Sequence, residues 1–489
     1  MSPRQVVVIG YGMAGARLAE EIRRRDPHGD NVALTVVGAE PQHAYNRVLL
    51  SAVLAGSMSV ESVRLHDSDW AERYGVDLRL GVSVTGIDRA ARRVVLHDGS
   101  ELDYDALVLA TGSNAWVPPT EGLLAEDGSL APGVVTFRTL ADCERIIAAA
   151  RPGAPVAVLG GGLLGLEAAR GLAGRGNLVT VVHPVGHLME RQLDPSAGRV
   201  LARTLGELGI ECRLGVLAER YLPGDGLKLA DGGHVPADLV VVSAGVRAET
   251  TLAAGALLDV DRGIVVDDAL RTSDPRIHAI GDCAQHPGTV SGLVQPAWEQ
   301  AAVLADRLTG ADPSARYRGT PVVTRLKARD VDLAALGEVH VDVDCEDAEV
   351  VRVEDPARGR YAKLVLRDEK VAGAILVGAP DAAATITQLY DRGIPAPSDR
   401  LALLLGRTLP SAAVPAASPA DLPASSVVCR CNTVTKGQLV TAFRAGNRTA
   451  AALASATRAS TGCGSCREAV CGIAEWLSEA DPEEPAAAS

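Results

Sequence analysis

Two segments of the chain share one grammar, and together they limit its fold more than any other feature. Gln5–Gly10 (QVVVIG) is a continuous β-branched run of the kind buried on both faces of a parallel sheet. A helical stretch, Met13–Arg25, follows it, and then a second apolar strand, Ala33–Val37. The order recurs as Pro155–Gly160 (PVAVLG), helix Leu163–Arg175 and strand Leu178–Val182. Two such units, with turns beginning at Gly10 and Gly160, predict two nucleotide-binding domains of similar α/β fold.

Each unit carries glycines where strand meets helix. In Gly10-Tyr11-Gly12-Met13-Ala14-Gly15 the first glycine permits the tight turn and the second lets the backbone approach a pyrophosphate. The third permits close helix–strand packing, and the helix N-terminus stabilises negative charge. Glu40, just past the second strand, is the candidate ribose-binding acid, with an ordinary loop glutamate as the alternative. The second motif reads Gly160-Gly161-Gly162-Leu163-Leu164-Gly165-Leu166-Glu167. Its second strand runs into His183, where a site for unphosphorylated NAD usually places an acid, so NADH versus NADPH stays open.

The intervening chain holds short β-rich stretches (Val82–Asp88, Arg93–Leu96, Val216–Leu222, Leu227–Leu229). Buried strands then end in small-residue turns: Ala106–Leu109 before Ala110-Thr111-Gly112, and Leu239–Val242 before Ser243-Ala244-Gly245. At Arg276–Ala284 an apolar strand ends in Gly281-Asp282 before an expected helix, and that carboxylate suits a chain of sugar-like hydroxyls. From Thr320 to Ile394 alternating strands and one helix, Asp381–Arg392, predict a separate α+β domain. Leu409–Ser426, rich in Pro, Ala and Ser, predicts a linker, and Glu479–Ser489 a disordered tail.

The cysteines add a second constraint. Cys429-Arg430-Cys431 and Cys463-Gly464-Ser465-Cys466 form two close pairs separated by 31 residues. Each pair can give one iron of a cluster two sulfurs, and Gly462 and Gly464 let the backbone bend tightly round it. Tetrathiolate zinc is the alternative, but it commonly uses C-x2-C at both ends, which a C-x-C arm does not match. The module Val427–Leu477 is small enough to depend on its metal for folding. Cys471 and Cys283 are expected as core residues rather than ligands.

Bulk properties exclude other classes. A formal net charge of −13 and pI near 5.3 argue against sequence-independent nucleic-acid binding. No window approaches 18 uninterrupted apolar residues, so no membrane span is expected. Nine cysteines, four of them in one metal-site pattern, fit a reducing compartment, and a cytoplasmic location is expected.

Gly10–Gly15, Ala110-Thr111-Gly112, Gly160–Glu167 and Thr272–Ala284 together resemble the two-dinucleotide-binding flavoproteins of the pyridine nucleotide–disulfide oxidoreductase type. The resemblance implies two Rossmann-like domains, the first for FAD (1–115 and 248–312) and the second for NAD(P)H (116–247). A small α+β domain (313–405), a linker (406–426), a mainly helical iron–sulfur module (427–478) and a tail (479–489) complete the expected order. It further implies FAD contacts from Gly10, Gly12, Met13, Ala14, Gly15, Glu40, Arg47, Ala110, Thr111, Gly112, Gly281 and Asp282, the last on the ribityl chain. NAD(P)H contacts are implied from Gly160, Gly162, Leu163, Leu164, Gly165, His183 and Gly245. Glu167 is expected beside the nicotinamide, and the helix opening at Gln295 and Trp298 is expected to point at the flavin. Lys327, a candidate catalytic residue, and Arg47 are basic groups available to flavin or nucleotide phosphate, with salt-bridged surface residues as the bland alternative.

Disulfide reductases carry a C-x4-C pair on the helix after the FAD acid, but Ala44–Ser51 here contains no cysteine. Electrons must therefore leave a flavin by another route. Pro41–Ser51, Leu188–Asp194 and Thr324–Lys327 are more narrowly similar to the flavoprotein half of NAD(P)H-dependent assimilatory nitrite reductase large subunits. They are also similar to electron-transfer subunits of assimilatory nitrate reductase. The C-terminal module resembles the bacterioferritin-associated-ferredoxin type of [2Fe-2S] domain. This resemblance implies hydride transfer from NAD(P)H to FAD and one-electron exit through a cluster on Cys429, Cys431, Cys463 and Cys466. The implied acceptor is the catalytic subunit of nitrate or nitrite reductase. A general ferredoxin- or rubredoxin-type reductase, and a redox-sensing or assembly protein, are the alternatives. The 320–394 domain is expected to form either a homodimer contact or a shield for the flavin.

Overall fold

The computed structural model describes residues 2–407, 418–429, 432, 434–460 and 466–481. It divides into two compact units, Met1–Arg191 with Leu201–Val322, and Gln192–Val200 with Val323–Ser489.

The first unit contains two five-stranded parallel sheets. In the first, the strand order is Ile277–Ala279, Ala106–Leu109, Arg4–Ile9, Val32–Gly38, Asp77–Leu80. In the second it is Ile210–Leu214, Leu178–His183, Pro155–Leu159, Leu239–Val242, Val134–Thr136. The central strands are buried on both faces, as their unbroken Val, Ile and Leu runs require. Each sheet changes direction at the strand bearing the glycine turn, so each places that turn at a topological switch point. Ser113–Ala115 and Val246–Ala248 pair antiparallel where the chain passes between the two sheets. Helix Met13–Arg25 packs against Val294–Thr309 through the apolar stripe that includes Leu18, Ile22, Ala301 and Leu304, all at 0% exposure.

One expected helix is absent. Asp282 lies within a 3-10 turn (Gly281–Cys283), which leads into the strand Ala284–Gln285 that pairs with Ile264–Val265. That pairing holds the chain extended, and the long helix begins only at Val294.

The second unit holds an antiparallel sheet in the order Val323–Arg325, Leu333–Gly337, Lys370–Val377, Arg360–Arg367, Glu349–Asp355, covered by helix Pro380–Arg392. Gln192–Val200 belongs to this unit because Asp194 accepts hydrogen bonds from Tyr361 and, at 3.4 Å, from the buried Lys363 ammonium. In the C-terminal module, helices Lys436–Arg444, Ala450–Thr457 and Arg467–Ala480 enclose Leu439, Phe443, Leu453 and Ile473. The residues just before it are docked rather than free: Lys436 Nζ donates to the carbonyls of Ala420 and Leu422 at 3.0 and 2.7 Å. Residues 408–417 of the expected linker and 482–489 of the expected tail lie outside the described residues.

Candidate functional site

At the first turn, Gly10 has φ +110, and a Cβ there would lie 2.2 Å from the Ala110 carbonyl oxygen. A Cβ on Gly15 would lie 1.9 Å from Gly10 O. These two positions lock strand, turn and helix together, so they are structural requirements. Gly12 differs. A Cβ there would meet only the Arg47 guanidinium, at 3.9 Å, and the helix starts at Gly12 with no side-chain cap. The opening therefore combines uncapped N–H groups, helix-dipole charge and a cation, which is what a pyrophosphate requires.

Met13 and Ala14 form the first helical turn behind this cradle, half-buried. Arg47 pairs with Glu40, whose carboxylate also accepts from the Tyr45 hydroxyl at 2.8 Å. Tyr45 in turn accepts from Leu140 N–H at 3.0 Å, and burial pushes its phenol pKa up, so it remains a donor. Glu40 and Arg47 are thus brought together beside Gly12, and Tyr45 holds them there.

The turn Ala110-Thr111-Gly112 is pinned by Thr111 Oγ1, which donates to Glu249 O at 2.8 Å, and by Glu249 N–H, which donates to Gly112 O at 2.9 Å. Gly112 leaves open space. Asp282 accepts from Arg138 Nη2 at 2.6 Å and from the Ser113 hydroxyl at 3.0 Å. Gly281 lies against Ala14, where an added Cβ would come within 2.8 Å of the Ala14 methyl, and its N–H donates to the buried Gln300 Oε1 at 2.8 Å. That close approach places Asp282 next to the first glycine turn. Gln295 donates to Glu299 at 3.2 Å, while the buried Trp298 Nε1 has no hydrogen-bond partner among the described residues. A buried donor without an acceptor is costly, and a heteroaromatic ligand at this helix start would satisfy it. The open Gly12 and Gly112 positions, the Asp282 carboxylate and the orphaned Trp298 donor fit FAD.

The second turn repeats the pattern. A Cβ at Gly160 (φ +124) would lie 2.1 Å from Ser243 O, and one at Gly165 2.1 Å from Gly160 O, whereas Gly162 and Gly245 face open space. The helix again begins without a side-chain cap. Leu163 and Leu164 are half-buried in its first turn and Glu167 is buried one turn further, 5% exposed. His183 ends the adjacent strand, its Nδ1 accepting from Gly161 N–H at 3.1 Å. This constellation fits a second dinucleotide.

Among the described residues no reactive thiol is found at the first site. Cys143 donates to Leu50 O at 3.7 Å, within the segment where disulfide reductases keep their redox pair, but burial pushes its pKa up to about 11. Burial likewise raises the pKa of Cys283, so both stay protonated at neutral pH. Lys327 lies in the second unit, half-buried on the connection between Val323–Arg325 and Leu333–Gly337.

In the C-terminal module Cys429 and Cys466 are buried, at 1% and 6% exposure. Cys466 stands at the N-cap position of helix Arg467–Ala480, and its sulfur accepts from Ser460 N–H at 3.2 Å. Asn432 donates to Arg458 O at 2.6 Å and ties the first ligand loop to the chain before the second. Cys431 and Cys463 lie outside the described residues. The donor set fits a thiolate-held cluster.

Sequence reading missed Arg138, Ser113, Tyr45 and Gln300. Arg138 and Ser113 reach Asp282 across 144 and 169 residues and Tyr45 meets Leu140 across 95, while Gln300 meets Gly281 across 19, and none belongs to a local motif. Only Arg138, next to a buried apolar run and before a helix-capping Thr139, stands at an identifiable junction.

The sequence profile of pyridine nucleotide-disulphide oxidoreductases matches residues 4–301. The rubredoxin NAD+ reductase C-terminal domain matches 322–394, and the BFD-like [2Fe-2S] binding domain matches 427–476. The nitrite reductase [NAD(P)H] of Bacillus subtilis is 35% identical over 96% of this chain and 57% of its own length. The assimilatory nitrate reductase electron transfer subunit of the same organism is 34% identical over 99% of this chain and 61% of its own. The chain thus spans about six-tenths of these curated relatives. Among solved structures, the covalent putidaredoxin reductase–putidaredoxin complex superposes with a TM-score of 0.73 at 27% identity, covering 82% of this chain and 96% of the other. Among the described residues no helix is long and apolar enough to cross a membrane.

Proposed function

The chain belongs to the pyridine nucleotide-disulphide oxidoreductase family and carries a BFD-like [2Fe-2S] domain, and on that premise we propose that it passes electrons from NAD(P)H to a nitrate- or nitrite-reducing catalytic component. FAD supplies hydride acceptance and the cluster supplies one-electron exit when each is bound. Gly12, Arg47 and the helix opening at Met13 hold the FAD pyrophosphate, Asp282 accepts from its ribityl hydroxyls, and Trp298 donates to its ring. Gly162, Gly245 and the helix opening at Leu163 hold the dinucleotide of NAD(P)H, with Glu167 on the nicotinamide side. Cys429, Cys431, Cys463 and Cys466 hold the cluster. These residues bind and orient; none is asked to act as a general acid or base.

The observation that carries this reading is the pairing of a thiol-free flavin edge with a cysteine module on the same chain. Cys143 and Cys283 are buried and protonated, and the C-terminal cysteine module offers the reducing equivalents an outlet. Mixing the purified protein with a nitrate reductase catalytic subunit and NADH or NADPH tests it. Nucleotide oxidation coupled to nitrite formation, absent when either protein is left out, is the expected result.

A second acceptor class has its own support, because residues 322–394 match the C-terminal domain of rubredoxin NAD+ reductase. Reduction of rubredoxin or ferredoxin with no coupling to nitrate or nitrite would favour it.

A further inference from the structure

The strand that closes the second dinucleotide unit ends in a histidine, yet a carboxylate is present there. Residues 184–191 leave His183 and fold back over the glycine turn, where Met189 N–H donates to Gly161 O at 2.9 Å. Met189 adopts φ +53 to make this contact, a left-handed conformation that a non-glycine residue accepts only when its surroundings hold it. The Leu188 side chain and the His183 ring both press on Gly161, where a Cβ would lie 2.8 and 2.7 Å from them. The fold-back brings Glu190 Oε2 to 3.0 Å from His183 Nε2. The Nδ1 lone pair is occupied by Gly161 N–H, so the neutral ring carries its proton on Nε2 and donates it to Glu190. Glu190 is one-third exposed, and its second oxygen makes no hydrogen bond among the described residues.

From this geometry we infer that Glu190, held by His183, is the ribose-binding acid of the second unit and selects NADH over NADPH. A carboxylate beside the glycine turn accepts from a ribose 2′-hydroxyl and repels a 2′-phosphate. His183 is the positioning residue, since its two ring nitrogens fix the distance between the glycine turn and the acid. The inference rests on the reading that the Gly160–Gly165 unit binds NAD(P)H.

Anaerobic stopped-flow reduction of the flavin in the full-length holoprotein, with NADH and with NADPH, tests it. The wild type is expected to favour NADH by about tenfold or more in rate over dissociation constant. Glu190→Gln should narrow that ratio by about tenfold through weaker NADH and stronger NADPH binding, read from the two dissociation constants. Glu190→Asp should restore part of the preference. Flavin content and circular dichroism confirm that each variant is folded. Equal use of the two nucleotides by the wild type, a preference for NADPH, or an unchanged ratio in Glu190→Gln would overturn the inference alone. No bleaching by either nucleotide would overturn the underlying reading of the unit together with it.

Discussion

Arg138 Nη2 lies 2.6 Å from Asp282 Oδ2, and both groups also meet the Ser113 hydroxyl, at 2.7 and 3.0 Å. The carboxylate is thereby oriented by two donors that lie 144 and 169 residues earlier in the chain. Asp282→Ala removes the acceptor and leaves a partly buried arginine without its partner. Loss of a charge-assisted hydrogen bond is worth ~1.5–3 kcal/mol, so FAD affinity should fall about 10- to 100-fold. Fluorescence titration of the apoprotein with FAD measures this.

The glycines of the first turn separate binding from folding. Gly12→Ala adds a methyl whose nearest neighbour is 3.9 Å away, so the apoprotein should keep its Tm while FAD binding weakens by about tenfold. Gly15→Ala places a methyl 1.9 Å from Gly10 O, and the apoprotein itself should be destabilised by ~1–3 kcal/mol. Thermal melts with and without FAD distinguish the two effects.

His278 gives the fold a pH dependence. It is buried in the first sheet with Nδ1 unpartnered among the described residues, and burial, aided by Arg4 and Arg307, lowers its pKa from 6.5 to about 4. The unfolded chain therefore binds this proton first as pH falls. Its contribution is intact above pH 6.5, declines as pH drops through the window to about 4, and is fully lost below that. The loss amounts to at most ~3 kcal/mol. Denaturant unfolding between pH 7 and 4 should show this slope, and His278→Leu should flatten it.

Cysteine substitution divides the two halves of the electron path. Cys466→Ser removes a sulfur that accepts from Ser460 N–H at the start of a helix. Iron and acid-labile sulfide should fall to background while flavin bleaching by NADH stays within about twofold of the wild type. Reduction of a one-electron protein acceptor should drop by about tenfold or more.

The two Rossmann-like units were legible because their signals are local. A β-branched run, a glycine that must turn and a helix that must start uncapped all lie within 20 residues of each other. The cysteine pairs were legible for the same reason. What escaped depends on contacts made through space. The Glu190 carboxylate reaches His183 only because Met189 takes a left-handed conformation, and Arg138 reaches Asp282 only after two sheets have formed. The helix expected after Asp282 failed because strand pairing with Ile264–Val265 overrode local preference, and that partner lies about 20 residues upstream.

In the proposed path, electrons enter through the second glycine unit in pairs and leave singly through the C-terminal thiolates. Anaerobic titration of the purified protein with NADH, followed together by visible absorption and EPR spectroscopy, tests it most directly. Flavin bleaching should be accompanied by the signal of a reduced [2Fe-2S] centre, with the signal abolished in Cys466→Ser. Bleaching of the flavin with no reduced-cluster signal in the iron-loaded wild type would contradict it.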